Sequence, residues 1–149
     1  MHATNNIGYL LHHLSFVLDR QSDQVLQEQL GIGFSQFKIM MVLRWNHGVQ
    51  QKLIADNLGQ TEASVSRQIK LLKNRGLLTR KPFAKNKREH ITVLTTKGER
   101  LIEAALEILN KYHAPVFRRL SEKQGADMLN MLSIMHDIAC GPHAPDKIE

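Results

Sequence analysis

The chain has 149 residues, 42% of them apolar, and a formal net charge of +6; that length suits one ordinary domain with a hydrophobic core of its own. A single cysteine, Cys140, excludes an intrachain disulfide framework and suits a reducing compartment. No secretory leader pattern opens the sequence and no apolar run approaches the ~20 residues of a membrane-spanning helix, so a soluble, cytoplasmic protein with no membrane partner is expected.

Between residues 5 and 30, Ile7, Leu10, Leu11, Leu14, Val17, Leu18, Val25 and Leu26 recur at helical spacing before Gly31 and Gly33 break the pattern, which predicts a long first helix. Ser35 is the expected cap of a second helix whose apolar surface is Phe37, Met40, Met41, Leu43 and Trp45, stopped by Asn46-His47-Gly48. A short third helix is predicted over Gln51 to Leu58, with Gly59 supplying the freedom of a tight turn. A fourth begins after Thr61 as cap, carries Glu62 in its electropositive first turn, and ends at Arg75-Gly76. The third and fourth together make a candidate helix-turn-helix.

Beyond Gly76, Leu77 to Lys81 and His90 to Thr95 are short β-prone runs, the second with Ile91 and Val93 on one face. Pro82 to Glu89 between them reads as a basic loop, and a hairpin that follows a helix-turn-helix is a wing. An amphipathic pattern returns from Thr96 to about Leu120, where Pro115 is expected to kink the helix. Ser121 caps a last helix with Met128, Leu129, Met131, Leu132, Ile134, Met135 and Ile138 inward, ending at Gly141-Pro142 ahead of a frayed tail. The fold expected is mainly α with a small β-hairpin wing, an α+β winged helix-turn-helix flanked by terminal helices.

The charge is not spread evenly. Residues 49 to 100 hold twelve Lys or Arg against four acids, a net of +8, while the remainder holds eight against ten, a net of −2. Such clustering suits a polyanionic partner, because each cation set against a phosphate backbone releases condensed counterions. Within the fourth helix Val65, Ile69 and Leu72 fall at i, i+4 and i+7 and should face the core, leaving Glu62, Ser64, Arg67, Gln68 and Lys70 outward. A helix enters the B-DNA major groove with its N-terminal half towards base edges, which makes Ser64, Arg67 and Gln68 the expected base readers. Lys70 and Lys73 are expected to hold phosphates, and at the wing tip the Arg88 guanidinium is suited to the minor groove, with Lys85 and Lys87 expected to hold phosphates on either side of that groove.

Three stretches in this order carry a family resemblance: Gln51-Lys-Leu-Ile-Ala55-Asp-Asn-Leu-Gly59, then Ser64-Val-Ser-Arg67-Gln-Ile-Lys-Leu-Leu-Lys-Asn-Arg-Gly76-Leu-Leu-Thr-Arg80, and Arg88 seven residues before Thr95 in Val93-Leu94-Thr95-Thr96-Lys97-Gly98. Over nearly its whole length the chain resembles the MarR family of bacterial winged-helix regulators. The resemblance implies a single domain spanning residues 1–149, with the winged helix-turn-helix at about 35–98, dimerisation helices at about 5–30 and 99–140, and a tail at 141–149. It implies a transcriptional repressor that binds double-stranded DNA as a twofold homodimer on a pseudo-palindromic operator. It implies Arg67 at the recognition surface, Arg88 as the wing arginine, and a small-molecule effector pocket between the dimer helices and the winged domain; residues near Phe16, Phe37 and Trp45 are candidates to line it, with core packing the favoured alternative. The chain departs from the family at Asn86, where an Asp usually stands two residues before the wing arginine. A neutral amide orients a guanidinium more weakly than a carboxylate does. That departure motivates a rival, an architectural winged-helix module with little sequence preference; an RNA-binding winged domain is disfavoured because A-form major grooves exclude a recognition helix. The terminal helices are themselves more apolar than a small winged domain needs for its core, which independently points to a partner chain.

Other residues invite chemistry less. His12, His13, His113 and His136 show no His-x3-His spacing or Cys/His set, so no metal is expected. Cys140 has no cationic neighbour to activate it, and Met128, Met131 and Met135 follow helical core spacing. No Gly-rich phosphate loop, nucleophile with a base, or diagnostic acid pair is present, so neither a cofactor nor enzymatic activity is expected.

Overall fold

The computed structural model describes residues 6–83 and 86–140, with the side chains of residues 86–89 outside that description. Six helices and one hairpin follow in order: α1 (Ile7–Leu30), α2 (Phe34–Asn46), α3 (Gln51–Leu58), α4 (Glu62–Asn74), β1 (Leu78–Phe83), β2 (Asn86–Leu94), α5 (Thr96–Phe117) and α6 (Glu122–Cys140). The chain is mainly α with one small antiparallel hairpin, as its periodicities predict. It forms two compact units that divide after Asn110.

In the first unit α2 is the central element, packed against α1, α3, α4 and β2. Its Ile39, Met40 and Leu43 are buried with Leu26 of α1, Ile54 of α3, Val65, Ile69 and Leu72 of α4, Leu77 and Leu78, and Ile102 and Ala105 of α5. Removing an apolar side chain of this size from water stabilises the fold by about 1.5–3 kcal/mol. The buried set on α4 is the triad that its i, i+4, i+7 spacing predicts.

The capping of α2 differs from expectation. Gly33 stands at the cap position and its N–H donates to Gln36 Oε1 at 3.2 Å, while the next N–H, of Phe34, donates to Asp23 Oδ1 at 2.8 Å. Ser35 lies inside the first turn, and its hydroxyl oxygen accepts from Gln60 Nε2 at 3.2 Å. A Gln three residues after the cap can satisfy an orphan N–H as well as a Ser at the cap.

The hairpin is longer than the sequence suggests. Leu78 pairs with Leu94 and Pro82 with His90, and an irregularity between Pro82 and Phe83 brings Phe83 opposite Asn86. The expected loop over Pro82 to Glu89 is therefore mostly strand. Pro82 is tolerated because a two-stranded ribbon consists only of edges, where a missing N–H need not break a ladder. Ile91 and Val93 are half-buried, and between them Thr92 is buried and exchanges backbone hydrogen bonds with Val49.

One corner holds α4, the hairpin and α5 in register. The Thr95 hydroxyl donates to the Gly76 carbonyl at 2.7 Å and accepts from the Gly98 N–H at 3.1 Å, while the Thr95 N–H donates to the Leu77 carbonyl at 3.0 Å. A Cβ at position 98 would collide with that same Leu77 carbonyl, so only glycine lets the first turn of α5 approach so closely.

Helix α5 continues through Pro115 and ends two residues later, short of the expected Leu120. In the second unit Ser121 caps α6 as expected, accepting from the Gln124 N–H at 3.3 Å while its own N–H donates to Gln124 Oε1 at 2.9 Å. Of the apolar residues of α6 expected to face inward, Met128 is half-buried and the others are exposed, Leu129, Met131, Ile134 and Ile138 most of all, and the helix contains no fully buried residue. The expected tail, 141–149, lies outside the described residues.

Candidate nucleic-acid interface

The helix-turn-helix is built as the sequence indicates. Gly59 ends α3 in a left-handed conformation, φ 59°, which glycine adopts without strain, and Thr61 then caps α4 by accepting from the Ser64 N–H at 3.2 Å. Two amide side chains brace the turn: Gln51 Nε2 donates to the Glu62 carbonyl at 3.3 Å, and Gln60 ties it to Ser35 of α2. The C-terminal end of α4 is anchored as firmly. Arg75 donates to the Gly31 and Leu30 carbonyls at 2.6 and 3.1 Å, supplying the cation that the C-terminus of α1 lacks in its own last turn. Lys97 Nζ donates to the Arg75 carbonyl at 2.8 Å.

With Val65, Ile69 and Leu72 inward, Arg67, Lys70 and Lys73 of α4 are exposed. Ser64 and Gln68 sit differently. Both are half-buried, one turn apart on the margin towards α2, and Gln68 Oε1 accepts from Gln36 Nε2 at 3.0 Å. Gln68 is thus not on the outermost face, and one of its two polar atoms already has a partner inside the protein.

Lys70, Lys73 and Arg80 border one concavity of about 330 Å³ with Gln51, Ser66 and Asn74, and no carboxylate is among its lining residues. Three cations around one open depression favour an anion there. Ser66 and Arg80 were not among the sequence-predicted site residues. Ser66 was findable, lying four residues after Glu62 and four before Lys70 on the outward face. Arg80 belongs there only because β1 returns beside α4, which its local sequence does not state.

Of the wing residues, Lys85 lies outside the described residues, as do the side chains of Asn86, Lys87 and Arg88. The residues expected near an effector pocket, Phe16, Phe37 and Trp45, sit differently in the protomer. Phe37 belongs to the core (7% exposed) and stacks on Phe34, whereas Phe16 (63%) and Trp45 (72%) are exposed. No group of three or more His, Cys, Asp or Glu able to hold a metal ion occurs among the described residues.

Comparison with known proteins matches this geometry. Residues 30–89 match the sequence profile of the MarR family. The transcriptional regulator HosA of Escherichia coli O157:H7 is 27% identical over 89 residues, 60% of this chain and 66% of HosA, so the match spans just under two thirds of that relative. Among solved structures, the Staphylococcus aureus MepR–DNA complex superposes with a TM-score of 0.70 at 28% identity, covering 87% of this chain and 94% of MepR. CouR from Rhodococcus jostii RHA1, bound to p-coumaroyl-CoA, has the same fold, with a TM-score of 0.79 at 20% identity over 99% of this chain and 98% of CouR.

Proposed function

We propose that the chain is a member of the MarR family, and that it is a sequence-specific regulator of transcription that binds double-stranded DNA. It acts as a homodimer on a pseudo-palindromic operator, represses transcription there, and leaves the DNA in response to a small-molecule or other signal. The observation that carries this reading is the braced helix-turn-helix, with Arg67, Lys70 and Lys73 exposed on α4 and Arg80 beside them, followed directly by the hairpin. The S. aureus MepR–DNA complex, at 28% identity, supports it from outside.

In this function α4 enters the major groove. Arg67 grips a base edge, Ser64 and Gln68 read beside it, and Lys70 and Lys73 neutralise phosphates. Lys85, Lys87 and Arg88 extend the contact from the wing, with Arg88 in the minor groove. Two copies related by a twofold axis place two α4 helices one helical turn apart. An effector shifts that spacing only by as much as it prefers one state over the other.

A competition experiment tests the nucleic-acid class. A labelled DNA duplex bound to the protein is challenged with unlabelled DNA or RNA duplex of the same sequence. Displacement by DNA and not by RNA is the expected result, because the deep, narrow A-form groove shuts out α4; displacement by RNA as effective as by DNA contradicts it.

A further inference from the structure

The N-terminus of α2 and the middle of α4 are joined by a relay of side-chain amides whose polarity is fixed at one end. A backbone N–H can only donate, so the atom of Gln36 that faces the Gly33 N–H at 3.2 Å is its carbonyl oxygen, Oε1. The other end of that amide, Nε2, carries only donors. It meets Gln68 at 3.0 Å, and the atom of Gln68 that receives it is therefore Oε1. By elimination Gln68 Nε2, with both protons, is turned away from Gln36. It has no hydrogen-bond partner among the described residues, and Gln68 borders an open concavity of about 550 Å³ beside Leu71, itself half exposed.

An amide in solution can offer a base either its donor or its acceptor, and it pairs with adenine by using both. Held as it is here, Gln68 offers donors. In the major groove guanine presents two acceptors, N7 and O6, adenine presents N7 beside a donor, and cytosine presents only its N4 donor. We propose that Gln36 is a specificity-determining residue: through its hydrogen bond it fixes Gln68 as a donor, so that the protein selects guanine and rejects cytosine at one position of each half-site. Gln36 touches no base and acts through Gln68. This rests on the sequence-specific DNA binding proposed above.

The relay can be inverted without removing the helix cap. In Gln36→Glu the carboxylate still accepts the Gly33 N–H, as Glu does in a capping box, but it has no donor for Gln68. The Gln68 amide then turns its Nε2 inward and shows Oε1 to the groove. Gln68→Glu reaches the same state from the other side, because a carboxylate keeps the bond from Gln36 Nε2 and has only acceptors left.

The test is selection of bound duplexes from a randomised library by the intact protein and by Gln36→Glu, Gln68→Glu and Gln68→Ala, with melting curves to show that each is folded. The wild type should enrich guanine over cytosine at one half-site position by at least about fivefold, the lower edge of what one good base contact discriminates. Both Glu variants should replace that guanine by adenine or cytosine, at that position alone, and Gln68→Ala should lose the preference there. Retention of guanine by a folded Gln36→Glu protein overturns the proposal while leaving specific binding intact, and Gln68→Glu decides the same point if Gln36→Glu does not fold. A wild type with no sequence preference overturns the specific-binding reading, and this one with it.

Discussion

Arg67 and Lys73 are both exposed cations on α4, and their chemistry separates them. Arg67 lies in the half of the helix nearer its N-terminus, and a guanidinium can grip the O6 and N7 of guanine together. Lys73 lies near the C-terminus, shares a concavity with Lys70 and Arg80, and carries a point charge suited to phosphate. Arg67→Ala should cost about 1–3 kcal/mol of binding and relax preference at one base position, whereas Lys73→Ala should weaken all sequences alike and reduce the salt slope by about one. Affinities measured across a salt series on matched and mismatched duplexes distinguish the two. Identical behaviour contradicts the division into reader and clamp.

At the scale of elements, the sequence announces best what local chemistry decides. Thr61, Glu62 and Gly59 mark the helix-turn-helix because a hydroxyl cap, an acid in the first turn and a left-handed glycine are each legible within a few residues. Loss of the hydroxyl in Thr61→Ala leaves the Ser64 N–H without its acceptor and should lower stability by about 1 kcal/mol, measured as a shift in the urea midpoint at constant m-value. An unchanged midpoint means the cap contributes nothing. Features set at a distance are less legible. The wing residues Lys81, Pro82, Lys87 and Arg88 are not strand formers, so the sequence reads loop where cross-strand pairing makes β-structure. Ser35 is by composition the natural cap, but Gly33 with Gln36 holds that place because Asp23, on another helix, takes the neighbouring N–H. The half-buried position of Gln68 depends on Gln36, 32 residues away, and no periodicity in α4 reveals it.

For the molecule as a whole, the basic surplus lies entirely within residues 49–100, the stretch that contains α3, α4 and the hairpin, and the rest is slightly acidic. The exposed apolar residues concentrate elsewhere, on the N-terminal half of α1 and along α6. In the homodimer proposed here such faces are covered by a second copy. Met131 and Ile138, seven residues apart on α6 and 57% and 65% exposed in the protomer, are positions where a charge should leave the protomer folded. Met131→Glu with Ile138→Glu should therefore shift sedimentation from dimer to monomer and, by separating the two α4 helices, sharply weaken operator binding. A dimer unchanged by both substitutions places the interface elsewhere. The measurement that bears most directly on the central claim is selection of genomic DNA fragments by the purified protein at near-physiological salt, followed by sequencing of those retained. Enrichment of a near-palindrome about 16–20 base pairs long, its half-sites about one helical turn apart, is the predicted result; retention without a shared sequence, or no retention even at low salt, contradicts it.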